Sequence, residues 1–227
     1  MDFETQLYLE QSKSWPRRGN HIMANYDANS IIVYQAYKSE LSRAILECQN
    51  FHDVKCIEAG YSLTRTTWLK TNFLWMMHRS GWAHKHNQER VLAIRLKREG
   101  FDQILGNVLK VVSGVKNLEK HISVDWKPPE KPIRKVILQW DPDHAPDGEA
   151  IKERRALQLG LRNEMLLKFS QEFVVSIVDV TEFVLEQYER CKVRDRPFRD
   201  LTRLETPLER EYVPSSLDIC KHIYLTI

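Results

Sequence analysis

The sequence predicts one α+β domain in which a mixed central sheet is flanked by helices. Three observations predict it. Short runs of β-branched and aromatic residues alternate with apolar stripes at three- and four-residue spacing. The alternation lacks the regular βα rhythm and glycine-rich first turn of a doubly wound nucleotide fold. And 227 residues, 42% of them hydrophobic, suit one sizeable core.

Residues 1–20 read as an N-terminal arm ending in the turn-like Trp15-Pro16-Arg17-Arg18-Gly19-Asn20, and 21–227 as the single catalytic domain. Ser30-Ile31-Ile32-Val33-Tyr34 has strand composition. After it, Leu41, Ala44, Ile45 and Cys48 line one face of a helix. Within 65–82, Leu69, Phe73, Met76 and Met77 fall at helical spacing, and Ser80-Gly81 is a fitting helix end. Val91-Leu92-Ala93-Ile94-Arg95-Leu96 reads as a buried strand and 101–109 as a helix. The proline-rich 125–132 excludes a regular element. Val136-Ile137-Leu138-Gln139-Trp140 is a strand that the following Asp141-Pro142-Asp143-His144 is expected to cut off. A helical region over about 164–188 is expected to break near Asp179-Val180-Thr181, with Thr181 as a cap, before an irregular basic tail.

Composition narrows the function classes. The net charge of +3 is mild, so nucleic-acid contact would depend on how charge is distributed. Four scattered cysteines make no disulfide framework and are expected to be reduced thiols. No apolar run approaches the roughly 20 residues of a membrane span, and the N-terminus does not resemble a secretory signal, so a cytoplasmic protein without membrane contact is expected. P-loop, G-x-G-x-x-G, G-x-S-x-G and H-E-x-x-H motifs are all lacking. His84 and His86, and Asp143-His144 beside Asp141, have no third ligand at a recognisable spacing, so neither a metal nor another cofactor is expected.

Four stretches set polar groups among residues suited to a core: Tyr34-Gln35-Ala36-Tyr37, Arg65-Thr66-Thr67-Trp68-Leu69-Lys70, His78-Arg79-Ser80-Gly81-Trp82 and Gln139-Trp140-Asp141. Unpaired burial of such groups is costly, so they either line a wet cleft or form a satisfied network. Arg65 suits a bidentate anion contact, and Lys70 supplies a compact charge that also transfers protons. Basic groups gather at Arg17 and Arg18, Arg95 and Arg98, Arg134 and Lys135, and Arg154 and Arg155. With six tryptophans in the chain they suggest an RNA-contacting face, although charge runs also mark plain solvated surfaces.

The runs His21-Ile22-Met23-Ala24-Asn25-Tyr26-Asp27, Ile32-Val33-Tyr34-Gln35-Ala36-Tyr37, residues 65–82, Gln88-Glu89-Arg90-Val91-Leu92-Ala93-Ile94, Gln139-Trp140-Asp141-Pro142 and Leu157-Gln158-Leu159-Gly160-Leu161 resemble the family catalogued as domain of unknown function 4291. Thr66, Thr71 and His78 depart from its usual methionine, proline and tyrosine. The chain is also similar to the fungal arginine-containing cyclodipeptide synthases. That resemblance implies arginyl-tRNA and a second aminoacyl-tRNA as partners, and a cyclo-arginine-Xaa diketopiperazine as product.

An aminoacyl ester is already activated, so such an enzyme needs no ATP. It must hold an amine against an ester carbonyl, remove its proton and stabilise an oxyanion. Tyr34, Arg65, Lys70 and Glu89 are the expected catalytic residues, with Gln35, Tyr37, Trp68, Trp75, Arg79, Gln139 and Asp141 binding substrate. The alternatives are an ADP-ribosyltransferase-like enzyme acting on NAD, or a non-catalytic RNA-binding module.

Overall fold

The computed structural model describes residues 3–113, 136–193 and 196–227. The proline-rich stretch and the basic pair Arg134 and Lys135 lie outside the described residues. In chain order the elements are β1 (Thr5–Leu7), α1 (Tyr8–Gln11), β2 (Gly19–Asn20), β3 (Met23–Ala24), β4 (Ser30–Tyr37), α2 (Ser39–Cys48), α3 (Val54–Glu58), β5 (Thr67–Lys70) and α4 (Phe73–Ser80). There follow β6 (Arg90–Lys97), α5 (Arg98–Gly106), β7 (Val108–Ser113), β8 (Val136–His144), β9 (Ala150–Leu161), α6 (Asn163–Lys168), β10 (Val174–Asp179), α7 (Thr181–Arg190), β11 (Glu205–Pro207), β12 (Arg210–Glu211) and α8 (Leu217–His222).

Among the described residues, the central sheet has eight strands in the order β10-β6-β4-β5-β9-β8-β7, with β2 beside β9. It is mixed: β7–β8 and β2–β9 are parallel and the remaining pairs antiparallel. The period-two alternation of side chains explains its position between two helical layers. Ile31 and Val33 of β4 join Leu41 and Ile45 of α2 and Phe101, Ile104 and Leu105 of α5 in one cluster. Their neighbours Ile32 and Tyr34 join Phe73, Leu74 and Met77 of α4 and Phe183 and Val184 of α7 in another. Each such side chain, fully buried, contributes about 1.5–3 kcal/mol of transfer free energy.

Local differences from expectation have physical reasons. β8 does not stop at Trp140. Asp141, Pro142, Asp143 and His144 pair with Ala156, Arg155, Ile151 and Ala150 of β9, and a register shift between Pro142 and Asp143 accommodates the proline. The 164–188 region is not one broken helix. α6 ends at Lys168, a π-helical turn covers Phe169–Phe173, and the β-branched Val174, Val175, Ile177 and Val178 form an edge strand against β6. Thr181 does not cap α7 with its hydroxyl: that oxygen accepts the Val91 N–H, and the Asp179 carboxylate accepts the Thr181 N–H. α5 ends at Gly106, and Val108 already belongs to β7.

Residues 3–20 are tied into the molecule rather than extended from it. β1 pairs with β11, Trp15 is buried, and Gln11 donates from Nε2 to Thr206 Oγ1 at 2.7 Å. All four cysteines are free thiols. Among the described residues, no helix is long and apolar enough to cross a membrane, and no group of three or more His, Cys, Asp or Glu side chains could hold a metal ion.

Candidate functional site

The site arises where the sheet opens. β4 and β5 pair only at Tyr34 and Lys70, whereas β5 pairs with β9 along its whole length. Beyond that point the backbones diverge and side chains replace the ladder. Gln35 Nε2 donates to the Trp68 carbonyl at 3.0 Å, and the Tyr37 hydroxyl donates to Gln35 Oε1 at 2.7 Å. On β9, Gly160 faces Trp68 across the pair. A Cβ there would come within 3.0 Å of the indole and 2.8 Å of Thr66 Cγ2, so glycine leaves room for the close approach of both side chains.

α4 forms one wall. Asn72 caps it by accepting the Trp75 N–H at 2.7 Å, and the Glu209 carboxyl accepts the Phe73 N–H at 2.6 Å. Gly81, at φ 56°, closes the helix in the left-handed conformation that favours glycine.

Between these elements lies a cavity of about 550 Å³. Its lining includes Gln35, Tyr37, Arg65, Trp68, Lys70 and Trp75, and further Met76, Arg79 and Gln158. Lys70 dominates its electrostatics. The side chain is only 5% exposed, with Nζ 5.0 Å from the centroid of the Trp75 ring. Burial first, and then the Arg79 cation, draw its pKa down to about 7, against a weaker opposing pull from Asp141. No described carboxylate lies within ion-pairing distance of Lys70, Arg65 or Arg79. Asp141, the acidic group that acts on Lys70, is engaged by two amides: it accepts from Gln139 Nε2 at 2.8 Å and from Gln158 Nε2 at 2.6 Å. A carboxylate only accepts, so it fixes both amides with their NH₂ groups turned toward it.

A family described as domain of unknown function (DUF4291) matches residues 21–212. The chain belongs to the DUF4291 family. No curated protein matches the chain.

In this DUF4291 chain the cavity brings together seven residues singled out from the sequence: Gln35, Tyr37, Arg65, Trp68, Lys70, Trp75 and Arg79. Tyr34 does not reach it. Its ring is fully buried edge-on against Phe73, its hydroxyl has no partner, and burial holds its pKa well above the phenol range. Tyr34 therefore lies beside Lys70 on the neighbouring strand, outside the cavity lining. Glu89 lies outside as well, its carboxylate accepting the Asn87 N–H at 2.7 Å in a surface turn near His86. Its own backbone N–H first, and then that of Asn87, keep its pKa low. Gln139 and Asp141 are neighbours of the lining residue Gln158 rather than part of the lining.

Among the described residues, the basic groups singled out from the sequence differ in their surroundings. Arg154 is buried in a 2.6 Å ion pair with Asp143, over the Trp15 ring. Arg95 binds Ser30 and Asp27, and Arg98 lies over Tyr26 and Tyr212. Arg17 and Arg18 are exposed on the arm, and Arg155 is half-buried on β9 opposite Asn20. At the cavity mouth, by contrast, Arg162 donates to Thr66 Oγ1 beside Arg65.

Thr66 falls in one of the polar stretches singled out from the sequence, whereas Met76, Asn87, Gln88 and Gln158 were not expected in the lining. A signal for Gln158 existed: Leu157, Leu159 and Leu161 alternate with it, which places Gln158 on the opposite face of a strand from the apolar core. With its amide turned to pair, Gln88 accepts from the Arg79 guanidinium at 3.1 Å and donates to the Arg79 carbonyl at 3.2 Å, so it steadies that arginine.

Proposed function

We propose that the cavity is the acyl-transfer site of an aminoacyl-tRNA-dependent enzyme that forms a cyclo-arginine-Xaa diketopiperazine. The observation that carries this reading is a buried lysine, poised to exchange a proton near neutrality, in one cavity with two arginines and two indoles.

Arg65 and Arg79 grip the phosphates next to the aminoacylated ribose, and Trp68 and Trp75 offer faces to its terminal base. Lys70 in its neutral form takes the proton from the attacking α-ammonium group. That amine adds to the ester carbonyl of the other aminoacyl group, an arginine N–H steadies the oxyanion, and the ribose hydroxyl leaves with the proton returned by Lys70. The terminal amine of the dipeptidyl ester then attacks the remaining ester carbonyl. The ring closes and the second tRNA is released.

The test is to supply purified protein with arginyl-tRNA and a mixture of other aminoacyl-tRNAs, and to analyse products by mass spectrometry. Cyclic arginine dipeptides that vanish on ribonuclease treatment are expected. Transfer of label from NAD instead would favour an ADP-ribosyltransferase, and no turnover with either would leave an RNA-binding module.

A further inference from the structure

We propose that the same cavity captures carbonyl compounds: the Lys70 amine condenses with the aldehyde or keto group of a small anionic ligand whose phosphate or carboxylate is held by Arg65 and Arg79. Three features place this chemistry here. Lys70 lines a 550 Å³ cavity with no described carboxylate in ion-pairing reach. Two arginines line the same cavity and supply an anion site. The Trp75 ring, its centroid 5.0 Å from Nζ, and the burial of the side chain leave the amine little exposed except toward the cavity. A lysine desolvated beside another cation is a general setting for imine formation.

The step balances without an oxidant or reductant. The Nζ lone pair adds to the carbonyl carbon, the C=O electrons move to oxygen, and the carbinolamine loses water to give an imine. The groups around Lys70 fit each stage. Arg79 and Trp75 face it from α4, Tyr34 from β4, Gln158 from β9, and Asp141 acts on it from β8. Arg79 favours the free amine that attacks, and Asp141 offsets the charge of a protonated imine.

This inference does not rest on the transferase reading, since it requires no RNA. The full chain is incubated at pH 7 with pyridoxal 5′-phosphate, reduced with borohydride and mapped by peptide mass spectrometry. Pyridoxal without phosphate serves as the comparison. The expected result is one dominant adduct on Lys70, formed at least about tenfold faster than on the exposed Lys38, because an ordinary lysine is almost wholly protonated at that pH. Pyridoxal should label Lys70 about tenfold more slowly, and Arg65→Gln with Arg79→Gln should remove the advantage of the phosphate. Adducts spread over surface lysines with Lys70 no faster, or equal labelling by both aldehydes, would overturn the proposal. The wild-type map decides this even where a variant fails to fold. A failed diketopiperazine assay leaves its outcome unchanged.

Discussion

Lys70 sits where its own charge is unwelcome, and that has a consequence for stability. Its folded pKa of about 7 lies below the ordinary 10.5, so between those values the unfolded chain binds more protons than the folded one. Stability therefore rises with pH across that window and carries the full penalty at pH 7 and below. Lys70→Met should be more stable than the wild type at pH 7, by an amount on the order of a few kcal/mol. The gap should close as pH approaches 10.5. Urea unfolding at pH 7, 8.5 and 10 checks it, and a variant less stable at pH 7 would show that the amine has a partner in the fold. For turnover, Arg65→Ala should lower the rate of diketopiperazine formation about 10²-fold or more, as loss of an oxyanion or phosphate contact does. Glu89→Gln should leave it unchanged, because that carboxylate is not part of the cavity lining and is engaged by the Asn87 N–H. Composition at 34–37 and 65–82 made the polar intrusion legible. Which of two neighbours faces the cavity was not, since Tyr34 and Gln35 differ by one step of the pleat.

α4 is held at its start by Asn72 and Glu209 and near its end by a histidine stack. His78 and the buried His144 of β8 lie ring on ring, centroids 3.6 Å apart, with Trp75 edge-on to both. Burial, and then its neighbour His78, lower the His144 pKa to about 4, against 6.5 for a free histidine. Between pH 6.5 and 4 the unfolded chain binds the extra proton, so stability falls as pH drops through that range. His144→Phe keeps the stack without the titration. Its unfolding midpoint should decline less than that of the wild type between pH 6.5 and 4.5, and parallel declines would remove the stack from the account. At the other wall, Gly160→Val drives a side chain into the Trp68 ring and should cost about 1–3 kcal/mol. α4 was readable from the spacing of Phe73, Met76 and Met77 and from the Ser80-Gly81 end, whereas Leu69, read as part of the same stripe, belongs to β5. β9 was not, because Lys152, Glu153, Arg154 and Arg155 interrupt its alternation and only its second half is consistently buried. β10 was hidden because valines at 174, 175 and 178 with Ile177 satisfy both a helical stripe and a strand.

At the scale of the molecule, chain ends far apart in sequence converge behind the cavity, and no local pattern announces that. β1 lies on β11, and Gln11 spans the junction: its Nε2 donates to Thr206 Oγ1, and its Oε1 accepts the Glu209 N–H at 3.0 Å. Glu209 in turn accepts the first N–H of α4, which carries Trp75 and Arg79 into the cavity. The family match covers 21–212, so part of what braces this helix comes from residues before it. Deleting the Gln11 amide leaves two buried groups without partners, the Thr206 hydroxyl and the Glu209 N–H. Gln11→Ala should therefore cost about 2–4 kcal/mol, roughly 1–3 per orphaned group less local relaxation. Arg17→Ala, a few residues further on and exposed, should change stability by less than about 0.5 kcal/mol. Because the loss passes through Glu209 to α4, Gln11→Ala should also slow reductive labelling of Lys70 under conditions where the variant is still folded. Lower stability with wild-type labelling would confine the arm to holding the fold together, with no share in positioning the cavity wall.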